Sequence, residues 1–179
     1  MTRALVLRAP GINCDRETAY ACREVGFATD LVHINQLLKA PETLLDYHFL
    51  VIPGGFSYGD DLGAGTLLAK NLQLTLGEQL QRFVAEGRPV LGICNGFQVL
   101  VRSGLLPGID FKATLTDNVS GQYECRWVTM NIQPSACIFT RGLDRALEIP
   151  VAHGEGQFVL KDNVATLFEQ GQIPLVYTN

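Results

Sequence analysis

The sequence predicts an α/β fold, with a mostly parallel sheet covered by helices on both faces and an antiparallel ribbon in the C-terminal half. Over the first hundred residues, short apolar runs alternate with longer amphipathic segments. The apolar runs are unbroken, which is typical of parallel strands buried on both faces. After Pro107-Gly108 the hydrophobic pattern changes to the period of two expected for half-buried strands. The chain has 179 residues, of which 47% are hydrophobic, so we expect a single ordered domain over residues 1–179.

The predicted parallel strands are the runs Ala4–Leu7, Phe49–Ile52 and Val90–Ile93. Between the first two, acidic residues at Asp15 and Glu17 favour the first turn of a helix that Gly26 ends. A longer helix is indicated by an apolar residue at every fourth position, before Gly87 ends it: Leu68, Leu72, Leu76, Leu80 and Val84. A third helix follows Cys94, through Phe97 to Val101, and stops at Gly104.

The C-terminal part is expected to add an antiparallel ribbon over residues 112–160. Its clearest strand places Val128, Met130 and Ile132 on one face, because they alternate with a second set of residues, Trp127, Thr129 and Asn131. A last strand is predicted over residues 173–177, and the sequence stops two residues later. Since the predicted order lacks a closing helix, we expect the natural protein to continue past Asn179.

Composition and charge exclude several classes of function. The formal net charge is −4, which argues against a nucleic-acid groove or an anionic membrane surface as the main partner. No apolar run approaches the roughly 20 residues of a membrane helix. Five cysteines without a C-x-x-C pair, and only three histidines, argue against a disulfide framework and a metal site. We therefore expect a cytoplasmic protein with free thiols and no metal.

The strongest chemical signal surrounds Cys94. The segment Gly92-Ile93-Cys94-Asn95-Gly96 joins a predicted buried strand to a helix, and it is the cysteine counterpart of the Gly-x-Ser-x-Gly nucleophile elbow. Glycines at both flanks remove side chains that would collide at such a sharp turn. The following helix directs its free N–H groups at the sulfur. We interpret Cys94 as a nucleophile and the Asn95 N–H as an oxyanion donor, against the alternative of a buried cysteine between two turn glycines.

A second loop follows the strand Phe49–Ile52. It starts at the same edge of the predicted sheet as the turn that holds Cys94. It reads Pro53-Gly54-Gly55-Phe56-Ser57-Tyr58-Gly59-Asp60-Asp61. Its glycines free the backbone for close approach to a ligand, and Gly55 could supply the second oxyanion donor. No phosphate-binding glycine motif occurs in the sequence, and Asp60-Asp61 reads as a loop or a helix N-terminus rather than a metal site.

A cysteine nucleophile also needs a base. His33 and His48 flank strand-like runs and are read as structural or surface residues. On spacing alone, the candidate pair is His153 with Glu155, in His153-Gly154-Glu155-Gly156.

Taken together, these motifs resemble the glutamine amidotransferase subunits of phosphoribosylformylglycinamidine synthase, a branch of the class I glutamine amidotransferases with a flavodoxin-like fold. The resemblance covers essentially the whole chain. It is carried by the segments Gly11-Ile12-Asn13-Cys14-Asp15, Pro53–Asp60, Gly92–Gln98, Gly104–Gly108 and Ala152–Gly156.

The resemblance implies a glutaminase that supplies ammonia to a synthetase. Cys94 would attack the side-chain amide of glutamine, the Gly55 and Asn95 amides would hold the oxyanion beside Gly54, and Gln98 would help bind the substrate. The partner synthetase subunit, together with a small accessory subunit, would use ATP and Mg to convert formylglycinamide ribonucleotide into its amidine. This subunit itself would need no cofactor.

The resemblance also revises the candidate base. In the family, the catalytic His and Glu come from a C-terminal His-Pro-Glu segment that this sequence lacks. We therefore expect His153 and Glu155 to face the site or an interface instead of forming the catalytic pair. Many family members carry an aromatic residue and an arginine where Asp61 and Gly63 stand here. The alternative functions are a catalytically silent docking subunit of the same fold and, more distantly, another cysteine hydrolase or a chaperone.

Overall fold

The computed structural model describes residues 1–108, 110–161 and 163–178. It divides into two units, Met1–Leu105 and Leu106–Asn179, which are described in turn. The single domain expected over residues 1–179 stays a prediction. The continuation expected past Asn179 lies outside the described residues.

The first unit is built on a four-stranded parallel sheet. Its strands are β1 (Arg3–Arg8), β2 (Ala28–His33), β3 (Phe49–Ile52) and β4 (Val90–Gly92). They lie in the order β2-β1-β3-β4, and every neighbouring pair is parallel. The three apolar runs predicted as parallel strands are therefore confirmed as β1, β3 and β4.

Helices cover both faces of this sheet. They are α1 (Asp15–Glu24), α2 (Ile34–Lys39), α3 (Thr66–Ala85) and α4 (Asn95–Arg102), with short 3₁₀ turns at Pro41–Asp46 and Ser57–Asp60. Leu5 and Leu7 of β1 pack in one cluster with residues of α2, α3 and α4, whereas Ala4 and Val6 pack with residues of α1. Successive side chains of a strand point to opposite faces, so this division confirms the two-sided arrangement.

Helix α3 follows the predicted stripe except at its end. Leu68, Leu72, Leu76 and Leu80 are buried, but Val84 is 45% exposed and Phe83 is fully buried in its place. Four residues advance an α-helix by about 40° beyond one full turn. A strict period of four therefore leaves the buried face after several turns, and the prediction for Val84 was wrong.

The second unit is antiparallel. It contains β5 (Ala113–Thr116), β6 (Glu124–Ile132), a 3₁₀ turn (Ile138–Thr140), β7 (Leu147–His153), β8 (Gln157–Leu160), α5 (Val164–Glu169) and β9 (Leu175–Tyr177). Strand β5 pairs with β8, and β6 lies between β7 and β9, all in antiparallel register. These pairings confirm the ribbon predicted over residues 112–160 and the last strand.

The period of two in β6 has the predicted consequence for burial. Val128 is 7% exposed, while its neighbour Trp127 is 70% exposed. Within the described ranges, no helix is both long and apolar enough to cross a membrane.

Candidate active site

Loops from three strands of the first unit meet at the carboxyl edge of the parallel sheet. The loop after β3 is joined to the loop after β1, because the Phe56 N–H donates to the Gly11 carbonyl at 2.9 Å and the Cys14 N–H donates to the Gly54 carbonyl at 3.3 Å. The turn after β4 is tied in by the Ile93 N–H, which donates to the Ile52 carbonyl at 3.1 Å. This edge is where open parallel sheets bind their ligands.

Cys94 occupies a strained turn between β4 and α4. Its φ is +53° and its ψ −113°, a conformation that residues with a side chain rarely adopt. The Cys94 carbonyl accepts the first helical hydrogen bonds, from the N–H groups of Phe97 at 2.9 Å and Gln98 at 3.2 Å. The thiol is exposed at the N-terminus of α4, where the helix dipole stabilises negative charge. This is the geometry of a nucleophile elbow.

Both elbow glycines are required by close backbone contacts. A Cβ at Gly96 would lie 1.9 Å from the carbonyl oxygen of Ile52, and a Cβ at Gly92 would lie 2.5 Å from that of Gly96. The turn can therefore lie against β3 only because Gly96 has no side chain, and the start of α4 can lie against the end of β4 only because Gly92 has none.

The two glycines of the second loop have different neighbours. Gly54 is buried, and a Cβ on it would lie 3.4 Å from the Cys94 Cβ. Gly55 has a φ of +142° and forms an isolated antiparallel bridge with Ile12. The hydrogen bonds beside this bridge use the N–H groups of Phe56 and Cys14, so they leave the Gly55 N–H for another acceptor.

The Asn95 side chain joins the turn after β4 to the loop after β3 by hydrogen bonds, a role that the sequence did not reveal. It is 1% exposed. Its Oδ1 accepts from the Ser57 N–H at 3.1 Å, and its Nδ2 donates to Asp60 Oδ1 at 3.2 Å and to Gln98 Oε1 at 3.1 Å. Asp60 Oδ1 also accepts from the Gly65 N–H at 3.1 Å, just before α3. The network thus holds Gln98 and both loops in one arrangement.

Cys14 is a second thiol at this edge that sequence reasoning left without a role. Its Sγ lies 3.7 Å from where a Gly54 Cβ would be, on the glycine that also borders Cys94. Burial raises the pKa of the Cys14 thiol, and the nearby Glu17 carboxylate adds to the effect. The residue as a whole is exposed, and the raised pKa favours its neutral thiol form. Its place in the family-like segment Gly11–Asp15 was the only signal that could have identified it.

His153 and Glu155 lie in the second unit, at the end of β7 and in the turn that follows. The His153 Nδ1 is 2.9 Å from Oδ1 of Asn118, a residue that is 9% exposed and that no sequence motif singled out. The Asn118 backbone N–H donates to the Gly154 carbonyl at 2.8 Å. A Cβ at Gly156 would lie 2.1 Å from the His153 Nδ1, which explains the second glycine of the motif.

The other two histidines have local structural partners. The Nδ1 of His33 accepts from the Asn35 N–H at 3.2 Å and caps α2. The Nδ1 of His48 accepts from the Arg3 N–H at 3.1 Å. Across the described part of the chain, no group of three or more His, Cys, Asp or Glu residues could hold a metal ion.

Comparisons with known proteins give the family of the chain. Residues 1–179 match the family model described as the CobB/CobQ-like glutamine amidotransferase domain. The chain is 33% identical to a protein in the solved structure of PurLQS from Thermotoga maritima, with a TM-score of 0.78 over 99% of this chain and 75% of that one.

Curated relatives are similar to the chain in sequence. The phosphoribosylformylglycinamidine synthase subunit PurQ of Dehalococcoides mccartyi is 52% identical over 88% of this chain and 63% of its own length. The protein of the same name from Treponema denticola is 48% identical over 98% of this chain and 71% of its own length. The chain thus spans about two thirds of the length of these relatives. It belongs to the CobB/CobQ-like glutamine amidotransferase family and, within it, to the family of PurQ subunits.

Proposed function

We propose that the chain is the glutaminase subunit of a phosphoribosylformylglycinamidine synthase. The observation that carries the proposal is the exposed Cys94 thiol at positive φ between β4 and α4, on an elbow that needs both of its glycines. The names of the relatives support the choice of synthase. In this assignment the ammonia serves the ATP-dependent conversion of formylglycinamide ribonucleotide to its amidine.

The reaction is assigned to Cys94 in two steps. In the first, the Cys94 thiol gives up its proton, its sulfur forms a C–S bond to the side-chain carbonyl carbon of glutamine, the C–N bond breaks, and the nitrogen takes up that proton and leaves as ammonia. In the second, water attacks the glutamyl thioester, the C–S bond breaks, and glutamate and the thiol are released. The sum is glutamine plus water giving glutamate plus ammonia.

The surrounding residues are assigned to stabilising this chemistry. The N–H groups of Gly55 and Asn95 would donate to the oxyanion that forms in each step, since preorganised donors lower such a barrier. Gly54 supports the proposal because its missing side chain leaves space next to Cys94. Gln98, held by Asn95, would bind glutamine. We assign no general base, since the sequence contains no His-Pro-Glu segment.

The proposed partners follow from this role. A synthetase subunit would receive the ammonia and use ATP and Mg, with a small accessory subunit as a further component. The similarity to a protein of the Thermotoga maritima PurLQS structure supports such an assembly. Cysteine chemistry of this kind needs no cofactor in the glutaminase subunit. We further propose a cytoplasmic location, which the five free cysteines support.

The test is a pair of synthesis assays on the complete natural chain combined with its synthetase subunit. Cys94→Ala is expected to abolish glutamine-dependent synthesis and to leave ammonia-dependent synthesis intact. Cys125→Ala, which removes an exposed thiol from β6, is the matched control and is expected to preserve both activities. Glutamine-dependent turnover that persists in Cys94→Ala would refute the assignment. Wild-type protein that docks and supports only the ammonia reaction would identify a silent docking subunit.

A further inference from the structure

Two exposed thiols border the same glycine at the carboxyl edge of the parallel sheet. A Cβ on Gly54 would lie 3.4 Å from the Cβ of Cys94 and 3.7 Å from the Sγ of Cys14. The Cys14 Sγ and the Cys94 Cβ are therefore separated by no more than the sum of these two distances, about 7 Å. Both cysteines are exposed, so small molecules in solution reach both of them.

The Cys14 side chain is held in its present position by a weak contact. Its thiol donates to Oδ1 of the neighbouring Asn13 at 3.3 Å, and a thiol is a weak donor. The Cys14 backbone is anchored beside the site, because its N–H donates to the Gly54 carbonyl at 3.3 Å. In a disulfide the two Cβ atoms lie about 3.5–4.5 Å apart. Forming one therefore requires Cys14 to leave Asn13 and its side chain to turn toward Cys94.

The two thiols differ in their reactivity toward an oxidant, because the thiolate is the reactive form of cysteine. Cys94 lies at the N-terminus of α4, where the helix dipole stabilises a thiolate. The pKa of Cys14 is raised, mainly by burial and further by the negative charges of Glu17 and of Cys94. A peroxide therefore oxidises Cys94 first, while Cys14 stays beside it as a neutral thiol.

We propose that Cys94 and Cys14 form a site of reversible oxidation, at which hydrogen peroxide converts the two thiols into a disulfide. In the first step the Cys94 thiol gives up its proton, its sulfur bonds to one peroxide oxygen, the O–O bond breaks, and the leaving hydroxide takes up that proton. The products are a Cys94 sulfenic acid and water.

The second step joins the two cysteines. The Cys14 thiol gives up its proton, its sulfur bonds to the Cys94 sulfur, the S–O bond breaks, and hydroxide leaves with that proton as water. The sum is two thiols plus hydrogen peroxide giving a disulfide plus two molecules of water. The thiols lose the two electrons that the peroxide gains.

The disulfide both inactivates and protects Cys94. Its sulfur can no longer attack glutamine, and a thiol reductant restores both cysteines by exchange. Without Cys14, excess peroxide would carry the sulfenic acid on to the sulfinic acid, which such reductants do not reverse. The effect on glutamine turnover rests on the proposed function, whereas the formation of the disulfide is read independently of it.

Two other cysteines serve for comparison. Cys22 of α1 is 8% exposed and packs in the core with Ala4 and Val6, so we expect it to remain reduced. Cys125 is exposed like Cys14 but lies on β6 of the second unit. Cys125→Ser is therefore the matched control for Cys14→Ser.

The first test is peptide mass mapping of the complete natural chain after treatment with hydrogen peroxide, with free thiols blocked before digestion. The wild type and Cys125→Ser should each give a peptide pair joined through Cys14 and Cys94, which dithiothreitol separates. In Cys14→Ser, Cys94 should carry added oxygen instead. Oxidation of Cys94 in the wild type with Cys14 still a free thiol, or a disulfide between two chains, would overturn the proposal.

The second test follows activity after the treated chain is freed of peroxide, reduced with dithiothreitol and combined with its synthetase subunit. Relative to the untreated sample of the same variant, glutamine-dependent synthesis should recover completely in the wild type and in Cys125→Ser. In Cys14→Ser the loss should be permanent, and equal recovery in Cys14→Ser would overturn the protective role. If the untreated wild type turns over no glutamine, the glutaminase assignment fails, while the peptide map still decides whether the disulfide forms.

Discussion

The contact between Gly96 and β3 gives a sharp prediction for the substitution Gly96→Ala. A Cβ at this position would start 1.9 Å from the Ile52 carbonyl oxygen and 3.1 Å from that of Pro53. Cβ atoms essentially never approach another heavy atom closer than 3.0 Å. Both obstacles are backbone atoms at the end of a buried strand, so no flexible side chain can move aside. The elbow itself must shift away from β3.

The expected loss of unfolding free energy can be compared with the effect of the same substitution at a helical glycine that has no such contact. Overpacking costs about 1–3 kcal/mol, and we expect about 3 kcal/mol for Gly96→Ala because the clash is with the backbone carbonyl groups of Ile52 and Pro53. In the interior of α3, Gly77 has no atom within 4 Å of its Cβ position. Gly77→Ala should therefore stabilise the protein by about 0.5–1 kcal/mol, the usual advantage of alanine in a helix.

Urea unfolding followed by circular dichroism measures both effects. With an m-value of about 2 kcal/mol per M, the midpoint should fall by roughly 1.5 M for Gly96→Ala and rise by a few tenths of a molar for Gly77→Ala. Glutaminase activity should be lost only in Gly96→Ala, since only that substitution displaces Cys94. Equal midpoints for the two variants would refute the argument that the elbow requires a glycine here.

Three further predictions rest on other contacts. Asn95→Ala should cost about 1–3 kcal/mol of unfolding free energy in a denaturant titration, because it leaves the buried Ser57 N–H without its acceptor. The hydrogen bond with Arg3 lowers the pKa of Asp30. The ionised Asp30 should therefore stabilise the folded protein at neutral pH, and this stabilisation should be lost as the pH falls through the acidic range. The difference in unfolding free energy between the wild type and Asp30→Asn should therefore shrink as the pH falls. The raised pKa of Cys14 should keep its alkylation by iodoacetamide slow at pH 7 and increase it only at a pH above that of an ordinary cysteine.

Each of these has a control or a contrary outcome. Asn131→Ala removes an exposed asparagine from β6 and should have little effect, so equal losses for Asn95 and Asn131 would contradict the network. The effect at Asp30 should be small, since both side chains of the pair are about half exposed. A stability difference that grows in acid would reverse the predicted sign. Rapid alkylation of Cys14 at neutral pH would contradict the raised pKa of its thiol.

The parallel core could be predicted because its signal is local. Strands β1, β3 and β4 are continuous apolar runs, and their burial on both faces by separate clusters explains that composition. The elbow at Cys94 could also be predicted, since its two glycines are needed by contacts within one strand–turn–helix segment and the adjacent β3. In both cases neighbouring residues carry most of the information.

The remaining features depend on contacts between distant parts of the chain. Asn95 meets Ser57 and Asp60 from 38 and 35 residues away, and Asn118 meets His153 across 35 residues. No period or spacing in one sequence predicts such pairs. The error at the end of α3 has a different cause. Phe83 is buried there instead of the predicted Val84, because the helical period is 3.6 residues and not 4.

The assignment of Cys94 as the nucleophile for glutamine can be tested chemically. The most direct measurement is covalent labelling of the complete natural chain by a glutamine analogue that carries an electrophilic carbon at the amide position, followed by peptide mass mapping. We expect a single label on Cys94, suppressed by excess glutamine, with the nearby thiol of Cys14 unlabelled at neutral pH. A label on Cys14, or labelling that glutamine does not suppress, would contradict it.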